Sequence, residues 1–258
     1  MDPGVRSPLI DFFRRGEVAR DVRMLAAQGA LAPRALEQLA LLILLVDDAD
    51  RDIAAAAAET VDALPADTLR LFLARDEVTP EMRAFFAARG LEPAVGVAPP
   101  AELGEDPFLD TLSELPEEPG PPDAEHKLLT SLPVIDRMKL AMKGTREQRA
   151  QLIRDTNRIV SAAVLSSPKL TETEVESFTK MGNVSEDVLR TIGHRRAWLK
   201  NYGVVLGLCR HPKTPPAISM QLIHRLNDKD LKALMTDRNI REGLRVLAKK
   251  IVTKGQMG

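Results

Sequence analysis

LEPAVGVAPPAELGEDPFLDTLSELPEEPGPPDAEH, residues 91–126, decides how the chain is divided. Nine of the 18 prolines lie between Pro93 and Pro133, and the stretch holds ten carboxylates with no Lys or Arg. A segment so rich in proline and acid, and so poor in branched apolar residues, buries too little surface to offset its ordering entropy. It is expected to be a mostly disordered acidic linker between two helical blocks, residues 1–90 and 127–258.

Charge is distributed along the same division. Residues 1–90 carry 11 basic and 15 acidic side chains, and residues 127–258 carry 25 and 12. The blocks are therefore −4 and +13, and the ten acids between them bring the total to −1. A neutral sum thus hides a strong polarity. The linker is expected to fold back on the basic block, a contact that salt would weaken.

In the N-terminal block apolar residues recur at three- and four-residue steps, the spacing of amphipathic helices. Thr79-Pro80-Glu81 sets a hydroxyl N-cap before a proline at the first helical position. In DDADRDIAAAAAETVDAL, residues 47–64, aspartates stand at the positive end of a helix, and Ile53, Ala57, Val61 and Leu64 make one apolar face. This stretch resembles the second helix of a HEAT-type repeat. The most apolar run, Gln38 to Val46, is too short to span a bilayer and reads as a buried core helix.

One segment of the linker departs from its surroundings. In DPFLDTLSELP, Asp106 and Pro107 mark a helix start, and Phe108, Leu112 and Leu115 fall at i, i+4 and i+7. That pattern suits an anchor peptide lying in a groove between helices, so these three residues form a candidate docking segment.

The C-terminal block repeats itself. Ser-Pro-Lys-Leu-Thr at 167–171 matches His-Pro-Lys-Thr-Pro at 211–215, and Asn183-Val184-Ser185-Glu186 matches Asn239-Ile240-Arg241-Glu242. Thr145 with Gln148, and Thr171 with Glu174, have the spacing of capping boxes, and Thr214-Pro215 reads as a further helix start. Short capped helices repeating irregularly are the mark of an α-solenoid. The run RMKLAMKGTREQRAQLIRDTNRIV, with SPKLTETEV, GNVSEDVLR, WLKNYGVVLGL, HPKTPPA and NIREGL, resembles bacterial helical-repeat proteins of the HEAT-like and leucine-rich-repeat-variant kind. The resemblance implies an all-α solenoid fold and brings no catalytic residues with it.

No enzymatic constellation is legible. The sequence lacks His-Glu-x-x-His, a glycine-rich phosphate loop, Cys-x-x-Cys and a nucleophile elbow. His126, His194, His211 and His224 have no helical i, i+4 partner, and Cys209 follows a run of aliphatic residues and reads as a small core residue. No cofactor or metal is expected. A single cysteine suits a reducing compartment, and together with the lack of a signal or spanning segment it points to a cytoplasmic protein without membrane insertion.

The remaining candidate surface is basic. Arg241, Arg245 and Lys249 make a stripe at i, i+4 and i+8, with Lys250 beside it. Arg195 and Arg196 add a pair at a turn, and Trp198 and Tyr202 lie one helical turn apart nearby. The expected function is a non-enzymatic scaffold or adaptor that binds segments of a protein partner. The alternative is a nucleic-acid-binding module using phosphate contacts from the basic block.

Overall fold

The computed structural model describes residues 2–32, 34–94, 107–109, 129 and 131–255. The protein is all-α: fifteen α-helices and two short 3-10 turns, with no strand, make up its secondary structure among the described residues. The chain divides into two compact units, Met1–Lys143 with Ser166–Pro168, and Gly144–Leu165 with Lys169–Gly258.

The first unit contains α1 (Pro8–Arg14), α2 (Arg20–Ala27), α3 (Ala35–Val46), α4 (Arg51–Asp62), α5 (Ala66–Leu73), α6 (Pro80–Ala87) and α7 (Val134–Lys143). Nine of the 12 residues of α3 are buried, and it packs against α1, α2, α4 and α6. A helix that is apolar all round belongs in a core, and this one is the axis of its unit. Helix α4 turns Ile53, Ala57 and Val61 inward, and the small alanines allow α2 and α3 to pack on it. Its acidic entry is tied back to α2. Arg20 donates to Asp50 at 2.7 Å and to Asp52 at 2.8 Å, and Arg23 pairs with Asp48. The hydrogen bond from Arg20 is the main reason the Asp50 carboxyl titrates below its usual range. Thr79 caps α6 by accepting from the Met82 N–H at 3.2 Å, with Pro80 in the first turn. The Ser167 hydroxyl donates to the Met142 carbonyl at 2.7 Å, which ties the 166–168 turn to α7.

The second unit contains α8 (Arg146–Leu152), α9 (Arg158–Ser166, whose last residue counts with the first unit), α10 (Glu172–Lys180) and α11 (Glu186–His194). It continues with α12 (Tyr202–Arg210), α13 (Pro216–Leu222), α14 (Asp228–Thr236) and α15 (Glu242–Gly255). Both expected capping boxes are formed, Thr145 with Gln148 on α8 and Thr171 with Glu174 on α10. Thr214-Pro215 does not start a helix. Helix α13 begins one residue later at Pro216, Pro215 has ψ 132°, and the buried Thr214 hydroxyl has no hydrogen-bond partner among the described residues. A residue that precedes proline is pushed out of the helical region, so the second of two prolines sets the start.

Helices α8 and α10 are joined by a buried ion pair. Arg149 and Glu174 are 4% and 2% exposed, and Arg149 reaches one Glu174 oxygen through Nε at 2.9 Å and through Nη2 at 2.8 Å. The other oxygen of Glu174 accepts from the Thr171 N–H and hydroxyl, while Arg149 also donates to the Gly144 and Lys169 carbonyls. Every charge is matched by hydrogen bonds, which is what a buried pair requires.

Candidate functional site

Helix α3 is apolar except near its start, where Glu37 and Gln38 are buried. Gln38 is 1% exposed, so its amide must be satisfied from within the protein. Its nitrogen donates to the Gly29 carbonyl at 2.7 Å and to the Leu109 carbonyl at 3.1 Å, and its oxygen accepts the Leu109 N–H at 3.3 Å. One buried side chain therefore holds both backbone groups of a residue 71 positions away.

The neighbouring residue completes the contact. The Phe108 ring meets Phe72 of α5 edge to face, with centroids 5.3 Å apart and planes at 78°. Arg75 also stands 5.3 Å from the centre of the Phe72 ring. Such an aromatic pair adds about 0.5–1.5 kcal/mol beyond its buried area. Gly29 forms the opposite wall. Its φ of +77° favours glycine, and a Cβ there would lie 2.9 Å from Leu109 Cδ1. The groove between the α2–α3 turn and α5 is therefore shaped to receive a bent dipeptide, Phe108-Leu109, that is half-buried there.

Of the three expected anchors, Phe108 is in this groove, while Leu112 and Leu115 lie outside the described residues. Pro107–Leu109 form an irregular bend rather than a helical turn. Gln38, Gly29, Phe72 and Leu109 were not singled out from the sequence. The available signal was Gln38 itself, an amide opening a run of aliphatic residues that becomes a buried helix.

The basic candidates lie in different local surroundings. Trp198 is 9% exposed, and Arg195 stacks 4.6 Å above its ring while donating to the Leu165 carbonyl at 3.3 Å. This pair is part of the packing of the second unit. Tyr202 is exposed but engaged: its hydroxyl donates to Asp230 at 2.6 Å and accepts the Asn227 N–H at 3.2 Å. Desolvation is the main reason its phenol titrates above the usual value. Asp230 also takes Arg210 at 3.1 Å, so Tyr202 and Arg210 of α12 both hold the first turn of α14. Arg241 donates to the Pro212 carbonyl at 3.2 Å. Arg245 is half-buried on α15, and Arg196, Lys249 and Lys250 are exposed. Arg196, Arg241, Arg245, Lys249 and Lys250 form no ion pair among the described residues.

A cleft of about 420 Å³ lies between α10 and α12, lined by Glu176, Lys180, Gly203, Leu206, Arg210 and His211 among others. Its polar groups are already matched. Lys180 pairs with Glu176 at 2.7 Å, and His211 Nδ1 accepts the Lys213 N–H at 3.1 Å. That leaves His211 Nε2 to donate to the Met181 carbonyl at 3.0 Å. Cys209 is buried with its thiol pushed up to about 12 by desolvation, far from the range of a working nucleophile. Among the described residues no group of three His, Cys, Asp or Glu side chains is arranged to hold a metal ion, and no helix is long and apolar enough to cross a membrane.

No family model, no curated protein and no solved structure matches the chain.

Proposed function

We propose that the protein is a non-enzymatic scaffold or adaptor, its helices an irregular HEAT-like solenoid whose grooves bind segments of a protein partner. The observation that carries this reading is the buried Gln38 amide spanning both backbone groups of Leu109. Main-chain bonds give such a contact affinity, and adjoining slots for side chains give it selectivity. Intact protein immobilised in extract of its own host should retain a partner. Replacing Gln38 and Phe72 together with Ala should lower the amount retained about tenfold, at an unchanged helical circular-dichroism spectrum. Equal retention would remove the groove from the function.

A second reading is supported by α15, on which Arg245, Lys249 and Lys250 form no ion pair among the described residues. Arg245, Lys249 and Lys250 would contact phosphates, making the basic block a nucleic-acid module that competes with the acidic stretch of the same chain. Each phosphate contact to duplex DNA contributes about −0.9 to the slope of log K against log salt. The triple Ala variant of the full chain should therefore bind duplex DNA with a slope shallower by about 2.7. An unchanged slope would leave these residues a solvated face.

A further inference from the structure

We propose that the groove walled by Gln38, Gly29 and Phe72 is a receptor for a bent aromatic–leucine segment from another protein, and that Phe108-Leu109 is its tethered occupant. This rests on the scaffold reading and names the ligand class and the regulation of that site. The groove is built before the ligand arrives. Gln38 sits in the buried helix α3, and Leu109 is the only partner of its oxygen among the described residues. A buried acceptor without a partner is unfavourable, so the groove selects any chain that offers an N–H and a carbonyl at that point. The ring slot at Phe72 then selects an aromatic residue immediately before it. The wall at Gly29, which has no Cβ, admits a branched aliphatic side chain on the held residue.

The present occupant is held lightly. One ring pair and one amide pair, with both residues half-buried, belong to contacts with dissociation constants on the order of millimolar. A short tether supplies an effective concentration that is also on the order of millimolar. The two are matched, so the segment fills the groove without closing it. A partner segment that makes the same dipeptide contacts and a few more displaces it. The chain thereby sets a threshold on which partners bind.

The probe is a fluorescein-labelled peptide with the sequence of residues 105–115, EDPFLDTLSEL, titrated by anisotropy against the full-length chain. Wild type should bind it weakly, and the Phe108→Ala/Leu109→Ala variant about twofold more tightly, because a tethered competitor that fills the groove half the time is gone. Adding Gln38→Ala to that variant should abolish the gain. Gly29→Ala, which narrows the slot from the other wall, serves as a second blocking variant should Gln38→Ala lose helical circular dichroism. The peptide with Ala at both anchor positions should bind neither chain, which excludes attraction by charge alone. Equal binding to wild type and to the Phe108→Ala/Leu109→Ala variant would overturn the tethered competitor while leaving segment binding intact. Binding to neither would overturn the receptor. If partner retention from host extract were also insensitive to Gln38, the scaffold reading would fall with it.

Discussion

Replacing Glu174 with Ala is expected to destabilise the second unit by about 3–5 kcal/mol, because it leaves the Arg149 guanidinium charged and buried without its counter-ion. Glu174 is 2% exposed, and both its oxygens are used: one by Arg149, the other by the cap of α10. The substitution therefore removes the ion pair and the capping box in one step. Trp198, the only tryptophan in the chain, lies in this unit and reports its unfolding by fluorescence. With a urea m-value of about 1–3 kcal/mol per molar, the midpoint should fall by at least about 1 M. Changing both partners to apolar residues, Arg149→Met with Glu174→Leu, should cost less than Glu174→Ala alone, since no uncompensated charge is left behind. A single variant within about 1 kcal/mol of wild type would mean that water reaches the pair.

Gly207→Ala is the second change expected to act strongly. Gly203 and Gly207 stand one turn apart on α12 and face α10, where a Cβ on Gly207 would lie only 2.0 Å from Thr179 Oγ1 and 2.7 Å from Thr179 Cβ. Thr179 is 1% exposed and its hydroxyl is engaged with the Glu176 carbonyl, so it has nowhere to move. The two helices must separate, at a cost of about 1–3 kcal/mol or more. Thr179→Gly removes both clashing atoms and costs about 1 kcal/mol for glycine inside a helix. In the double variant the two changes should cost less together than their sum, a coupling that a double-mutant cycle measures directly. Strict additivity would show that the close approach is not what fixes this pair of helices.

The features legible in the sequence are those decided within one helical turn. Thr79, Thr145 and Thr171 cap the helices they were expected to cap, because a cap needs only a hydroxyl and an N–H three residues on. Helix α3 was legible as a core helix from its unbroken aliphatic run. Thr214 misled because two prolines in succession offered two starts, and the helix begins at the second. What was not legible depends on distant pairing. Gln38 with Leu109 is 71 residues apart and Arg149 with Glu174 is 25, and no local spacing announces either. Trp198 and Tyr202, four positions apart, were grouped in one candidate partner surface. A short 3-10 turn, Trp198–Lys200, lies between them and sends one ring into the core and the other to the α14 cap.

The segment that leaves α6 has a consequence for how the chain can vary. The Ala94 N–H donates to the carbonyl of Arg70, and Phe108 meets Phe72, so both fastenings fall on α5, two residues apart. Twelve residues separate Ala94 from Pro107, and their two ends are thus pinned close together by the same helix. The cost of closing a loop grows only with the logarithm of its length, about 0.6 kcal/mol for each doubling. Insertions between the two fastenings therefore change the grip on the groove very little. A longer span between the fastenings leaves the two stitches on α5 where they are at little cost.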